Sequence, residues 1–222
     1  MEKYSAIYAR AVANKGGEGA LAALLPVAKS AVQLRRVKDD RVLAEMTKCV
    51  FRSGFVWQVV EHKWPAFEVA FSRFDVATCA LLGDEDIERL STDASIIRNG
   101  KKISGVRGNA RFISEIRAEH GTFGRFLASW PQTDIVGLWD VLKKQGDRLG
   151  GNTGVYFLRF IGKDTFMLSE DVVRLLIRQG VVSKRPTARR DLQAVQAAFN
   201  RWHDESGRPL CELSRIAACA TG

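Results

Sequence analysis

Apolar residues recur at helical spacing along almost the whole chain, and no segment sustains the period-two alternation or β-branched enrichment of a strand. That single feature restricts the fold to packed helices. Between Asp39 and Cys49 the stripe Val42, Leu43, Met46, Cys49 marks one buried face, and Phe51, Phe55, Trp57, Val59 and Val60 extend it as an apolar wall expected in the core. Pro65 predicts a helix start that buries Phe67, Phe71 and Phe74, and Gly83-Asp84 predicts another, with Glu85 and Asp86 suited to the helix dipole. Ile103 to His120 reads as a helix ended by Gly121, Ile135 to Gln145 as an amphipathic helix, and further helices follow at Ser169 to Gln179, Asp191 to Asp204 and after Pro209. The expected fold class is all-α.

At 222 residues the chain can bury its own core, and no stretch rich in Pro, Gly or Ser separates independent parts, so one compact helical domain over 1–222 is expected. No run of about 18 uncharged apolar residues occurs, and the N-terminus lacks the apolar centre of a secretory signal; a cytosolic protein with no membrane partner is expected. Cys49, Cys79, Cys211 and Cys219 form no close pair with each other or with His62, His120 and His203, which reads as reduced thiols and no metal.

Thirty-four Lys and Arg against 25 Asp and Glu leave a formal charge of +9, pointing to a polyanionic partner. Gly146, Gly150, Gly151, Gly154 and Gly162 punctuate one stretch, and around Gly150-Gly151-Asn152-Thr153-Gly154 the pattern is helix, tight turn, helix, whose amides would cradle a phosphate at a helix N-terminus. Lys163 and Arg159 stand beside it, and Val173 to Arg190 holds six basic residues and no acidic one. The competing reading of the glycine turn is close helix packing alone.

From Phe51 the chain reads FRSGFVW, and from Phe67 to Ile113 it reads FEVAFSRFDVATCALLGDEDIERLSTDASIIRNGKKISGVRGNARFI. These residues resemble the bacterial 3-methyladenine DNA glycosylase I family, with Gly54 to Trp57, Phe71, Phe74-Asp75, Ile96-Ile97-Arg98 and Asn109-Ala110-Arg111 in family order. The GGNTG turn falls where helix-hairpin-helix glycosylases carry their DNA-binding hairpin, so the resemblance implies a single helical bundle of that type with its hairpin near 146–162. It implies excision of 3-methyladenine or a related cationic alkylated purine from double-stranded DNA, by flipping and hydrolysis that leave an abasic site, in a monomer without cofactor. The alternatives are a non-enzymatic binder of alkylated or distorted DNA and a helical protein that binds a small molecule or nucleoside.

The chain departs from the family at defined places. No Cys precedes Cys49 and no His precedes His62, so the family's zinc clasp is not expected. The family's base-recognising glutamate lies eight residues before the pocket tryptophan, which here is Cys49 if that tryptophan is Trp57. The wider superfamily's catalytic aspartate aligns with Ser169, leaving Asp171 and Glu170 as the nearest carboxylates. Base-binding candidates are therefore Trp57, Phe51 and Tyr8; catalytic candidates are Asp171 and Glu170; DNA-binding candidates are Gly150, Gly151, Asn152, Thr153, Gly154 and Lys163.

Overall fold

Helices follow one another from Tyr4 to Cys219 in a computed structural model that describes residues 1–221. In chain order they are α1 (Tyr4–Lys15), α2 (Glu18–Ala22), α3 (Ala31–Arg35), α4 (Asp39–Arg52), α5 (Trp57–Ala70), α6 (Val76–Ala80), α7 (Asp84–Thr92), α8 (Gly100–His120), α9 (Phe123–Ser129), α10 (Ile135–Gln145), α11 (Asn152–Ile161), α12 (Glu170–Arg178), α13 (Arg189–Ser206) and α14 (Leu210–Cys219). Among the described residues there is no strand, in agreement with the periodicity.

The chain divides into two compact units. One is built from 1–29, 131–137 and the segment from Asp164 onward; the other from Ser30–Trp130 and Leu138–Lys163. No linker-like stretch marks this division, because the segments of the two units alternate along the chain.

In the first unit α14 packs against α1, α12 and α13 and buries Leu210, Leu213 and Ile216. Asp164 accepts hydrogen bonds from the Leu210 and Cys211 amides at 2.9 and 2.8 Å, closing the start of α14.

The second unit is organised on α4, which packs against α8 and α11. Val42, Leu43, Met46, Cys49, Val50 and Phe51 of α4 are buried, as are Ile103, Val106, Ala110 and Ile113 of α8. Each fully buried large side chain of this kind contributes roughly 1.5 to 3 kcal/mol. The apolar wall does not continue as the sequence pattern suggests: Phe55, Trp57 and Val59 are 40, 43 and 44% exposed, because the chain leaves α4 at Ser53 and turns before α5. The helix expected to begin at Pro65 begins at Trp57, with Pro65 inside it. Pro65 lies on the exposed side, as does Glu61, whose carbonyl the proline leaves without an amide; water can supply the missing donor there.

Helices α10 and α11 enclose the glycine turn, the helix–turn–helix that the sequence suggests. Gly151 stands before α11 with φ 59° and ψ −138°, a backbone conformation open to glycine, and a Cβ on Gly154 would lie 2.3 Å from the Leu149 carbonyl oxygen. The turn is braced on α8. Asn109, 1% exposed, donates to the Asp147 carbonyl at 3.1 Å and accepts from the Asp147 amide at 2.8 Å, and Arg148 Nε donates to the Lys101 carbonyl at 3.0 Å.

Candidate base-binding cleft and DNA hairpin

Three pieces of the second unit converge at a cleft of about 210 Å³: Cys49, Arg52 and Ser53 at the end of α4, Trp57 at the start of α5, and Asn152, Thr153, Tyr156 and Phe160 along α11. Its size is below the roughly 300 Å³ at which drug-sized ligand sites begin, which suits one planar base. The end of α4 is fixed by Lys102, whose ammonium donates to the Ser53 carbonyl at 2.5 Å and the Phe51 carbonyl at 3.3 Å and lies 4.6 Å from the Phe55 ring centroid. Burial, with a smaller contribution from nearby Arg148, pulls the Lys102 pKa below its ordinary value.

Aromatic rings form one side of the cleft. Trp57 meets Tyr156 and Phe160 edge-on, each at 5.7 Å between centroids, while Tyr156 and Phe160, one helical turn apart, stack at 5.8 Å. Phe160 is 40% exposed and Val56 67% exposed, so with Phe55 and Val59 the cleft lies in an exposed apolar patch.

A cation already occupies this aromatic group. The Arg52 guanidinium lies 4.9 Å from the Trp57 centroid and 4.9 Å from that of Phe160. It hydrogen-bonds Glu61 and approaches Glu45 at 3.7 Å, while Lys48 reaches Glu61 at 2.7 Å. Burial opposes ionisation of Glu61, but the hydrogen bonds and charges of Lys48 and Arg52 together outweigh it and hold its carboxyl below the usual range. Cys49 donates through Sγ to Glu45 at 3.6 Å, and burial pushes its thiol well above the ordinary cysteine value, so it is a neutral wall of the cleft. Of these five side chains only Cys49 and Arg52 line the cleft, and the charge of Arg52 is balanced from behind by Glu61 and Glu45.

At the mouth of α11, Gly151 supplies no capping side chain, and Asn152 is exposed. The structure thus brings together Trp57, Asn152 and Thr153 of the sequence candidates, with Gly150 and Gly151 at the adjoining turn and Gly154 buried beneath it. Other candidates lie elsewhere. Phe51 is 0% exposed and edge-on to Phe67 at 4.6 Å, a core ring with no face for a base. Tyr8 belongs to the first unit, where Arg208 covers its ring at 5.1 Å from the centroid. Lys163 is 7% exposed and donates to the Trp130 carbonyl at 2.7 Å; it ties the end of the hairpin into the second unit and does not present its charge to a phosphate.

Glu170 and Asp171 also belong to the first unit, in the first turn of α12. Ser169 caps that helix by accepting from the Val172 amide at 3.3 Å, Asp171 pairs with Arg174 at 2.5 Å, and Glu170 pairs with Arg185 at 2.8 Å.

The sequence reading missed Arg52, Tyr156 and Phe160. The i, i+4 spacing of Tyr156 and Phe160 was available as a signal, but on a helix that also buries Phe157, Leu158 and Ile161 it does not tell which aromatic faces outward. The donor set does not fit the zinc ion of the resembled family. All four cysteines are buried and outside any disulfide, and among the described residues no three His, Cys, Asp or Glu side chains converge on a metal position.

An all-α chain with a braced glycine hairpin beside an aromatic cleft belongs to a recognisable class. The family model described as methyladenine glycosylase matches residues 34–157, more than half of the chain, and the chain is a member of that family. The match falls almost wholly on the unit that holds the cleft. DNA-3-methyladenine glycosylase 1 of Escherichia coli (strain K12) is 34% identical over 94 residues, 41% of this chain and 50% of that protein, so the chain spans about half the length of this curated relative. A solved structure of 3-methyladenine DNA glycosylase I from Staphylococcus aureus, described for its recognition of 3-methyladenine, superposes with a TM-score of 0.50 at 25% identity, covering 56% of this chain and 77% of that one. A crystal structure of 3-methyladenine DNA glycosylase I gives 0.51 at 21% identity over 62% and 82%, a likeness of fold. No helix among the described residues is long and apolar enough to cross a membrane.

Proposed function

We propose that this protein is a monofunctional DNA glycosylase that releases a modified adenine from double-stranded DNA by hydrolysis and leaves an abasic site. The observation that carries the reading is the adjacency of the cleft and the hairpin on one helix: Asn152 and Thr153 belong to both the phosphate-facing turn and the cleft lined by Trp57, Tyr156 and Phe160. A backbone phosphate held at the α11 N-terminus leaves the neighbouring nucleotide within reach of the aromatic rings once it is turned out of the stack. The exposed apolar patch of Phe55, Val56 and Val59 supports the same face, since unstacking exposes base surface that apolar side chains can cover.

Stacking on an aromatic ring contributes roughly 1 to 3 kcal/mol per base, which offsets much of the few kcal/mol that extrusion costs. The reading gives no proton transfer to Asp171 or Glu170, each of which has an arginine partner and a dipole role in α12. No Schiff-base chemistry is assigned either, because the cleft has no lysine in its lining.

The test is incubation with methylated genomic DNA and identification of released bases by mass. Release of free modified base, with abasic sites and no strand cleavage, is the expected result. Salt-dependent binding without release would instead favour a non-enzymatic reader of damaged DNA.

A further inference from the structure

The second unit holds another cleft, of about 450 Å³, lined by Arg35 at the end of α3, His120 at the end of α8, and Arg125 and Ser129, one turn apart on α9. The hairpin is braced at Lys101, at the other end of α8, so a rise of roughly 1.5 Å per residue sets the two places about 28 Å apart along that helix. The lining carries two guanidiniums, an imidazole and a hydroxyl, and no carboxylate. Glu119 lies 3.8 Å from His120 Nε2 but outside the lining, and it offsets the imidazole alone. Arg35 and Arg125 are exposed, and among the described residues neither guanidinium makes a hydrogen bond or an ion pair.

Helix stability accounts for only part of this charge. Arg35 and His120 stand in the last turns of α3 and α8, where a cation complements the helix dipole. Arg125 stands in the first turn of α9, where a cation is unfavourable. It does not close the end of α8 either: a Cβ on Gly121 would lie 3.0 Å from Arg125 Nη1, so the guanidinium lies over that turn, yet it donates to no carbonyl there. The frame behind these side chains is fixed. A Cβ on Gly124 would lie 2.4 Å from the Leu34 carbonyl oxygen, so α9 rests directly on the end of α3, and the His120 ring lies 5.1 Å from that of Phe126. The Phe123 amide donates to Asp39 at 2.9 Å and the Arg125 amide to Thr122 at 3.0 Å; with those amides satisfied, the side chains are the donors of the cleft.

We propose that this cleft binds the phosphate group of a small phosphorylated ligand the size of a nucleoside monophosphate, with Arg35 and Arg125 as the charged clamp and His120 and Ser129 as further partners. A planar guanidinium meets phosphate oxygens with paired N–H groups, and a terminal phosphate brings more charge to two arginines than a backbone diester does. The volume falls in the range of small-molecule sites, which begins at roughly 300 Å³. The site is separate from the aromatic cleft and the hairpin, and its assignment does not depend on the glycosylase reading.

The test is an NMR titration of the full chain at neutral pH and constant ionic strength, with inorganic phosphate, deoxyadenosine monophosphate and a short unmodified duplex as separate probes. The ring C–H signals of His62, His120 and His203 are the readout. Phosphate and the nucleotide should each move His120 saturably, with half-saturation by phosphate on the order of 1 mM, and leave His62 and His203 in place. Arg125→Gln should raise both half-saturation points at least about tenfold, and Arg35→Gln should act in the same direction. Base release from methylated DNA should be unchanged in both variants. Failure of either small probe to move His120 saturably, parallel drift of all three histidines, or unchanged half-saturation in folded Arg125→Gln would overturn the inference. A duplex that moves His120 at lower phosphate content than the nucleotide, or base release lost in folded Arg125→Gln, would make this a DNA contact and overturn it as well. If circular dichroism shows Arg125→Gln unfolded, Arg35→Gln decides.

Discussion

Two helix N-termini, those of α11 and α12, present opposite solutions to the same physical problem. A helix start leaves amide donors without backbone partners and a partial positive charge. At α12 the chain answers from within: Ser169 caps, Glu170 and Asp171 complement the dipole, and each acid has an arginine partner. At α11 the cap is Gly151, there is no acid in the first turn, and aromatic rings follow one and two turns on. The first is complete without a ligand. The second has donors and apolar surface suited to a phosphate and a base, which is why the proposed site lies at α11 and not at the acids of α12.

The largest effect expected on this comparison comes from Trp57→Ala. Loss of one stacking ring should slow single-turnover base release by about 5- to 150-fold, the equivalent of roughly 1 to 3 kcal/mol. Trp57 is 43% exposed, so the fold should survive, and circular dichroism checks that it does.

Gly151→Asp should follow, with DNA affinity reduced by roughly tenfold in low salt, because it adds a carboxylate beside the phosphate position and a side chain where φ is 59°. Space is not the cause, since nothing lies within 4 Å of a Cβ at Gly151. Equal affinity in a titration of the folded variant would move the phosphate contact away from α11.

How far the sequence anticipates these two regions depends on where the signals are local. Helix α10 runs from Ile135 to Gln145 as its amphipathic pattern suggests, α7 starts after Gly83, α12 starts after Ser169 and α8 ends at Gly121, but α8 begins at Gly100 behind an Asn99 cap, three residues before the Ile103 start read from the apolar pattern. Pro65 misled because a proline can signal a first turn or sit within a helix on its wet side, and only tertiary placement separates the two. In the cleft, Trp57 and the GGNTG turn were legible, but Phe51 and Lys163 were not. Phe51 is six residues from Trp57 with the same aromatic character, and it is buried because it lies on the α4 face toward Phe67. A basic residue beside a hairpin looks like a phosphate contact until its ammonium is found on the Trp130 carbonyl. Arg52 carries no sequence signal at all, since its surroundings are two rings and two carboxylates drawn from α4, α5 and α11.

A smaller effect is expected at α12. Asp171→Asn should change base release by no more than about threefold and stability by roughly 0.3 to 1 kcal/mol, the worth of a dipole-aligned surface acid. Base release slowed a hundredfold in the folded variant would make Asp171 catalytic and reverse the roles of the two helix starts. The smallest effect concerns metal: with no converging ligand set among the described residues, a chelator should leave the melting temperature unchanged, and zinc bound stoichiometrically to the purified protein would refute this.

On the proposed function, DNA and the extruded base are received at the α11 hairpin and its aromatic cleft. The direct measurement is an amide and indole NMR titration of the protein with a duplex that contains a stable abasic analogue, followed by the free modified base. The account predicts that the amides of Gly150 to Gly154 shift with the duplex, and that the indole N–H of Trp57 shifts when the base is added. Shifts confined to α12, α13 and α14, with Trp57 and the glycine turn unmoved, would contradict it.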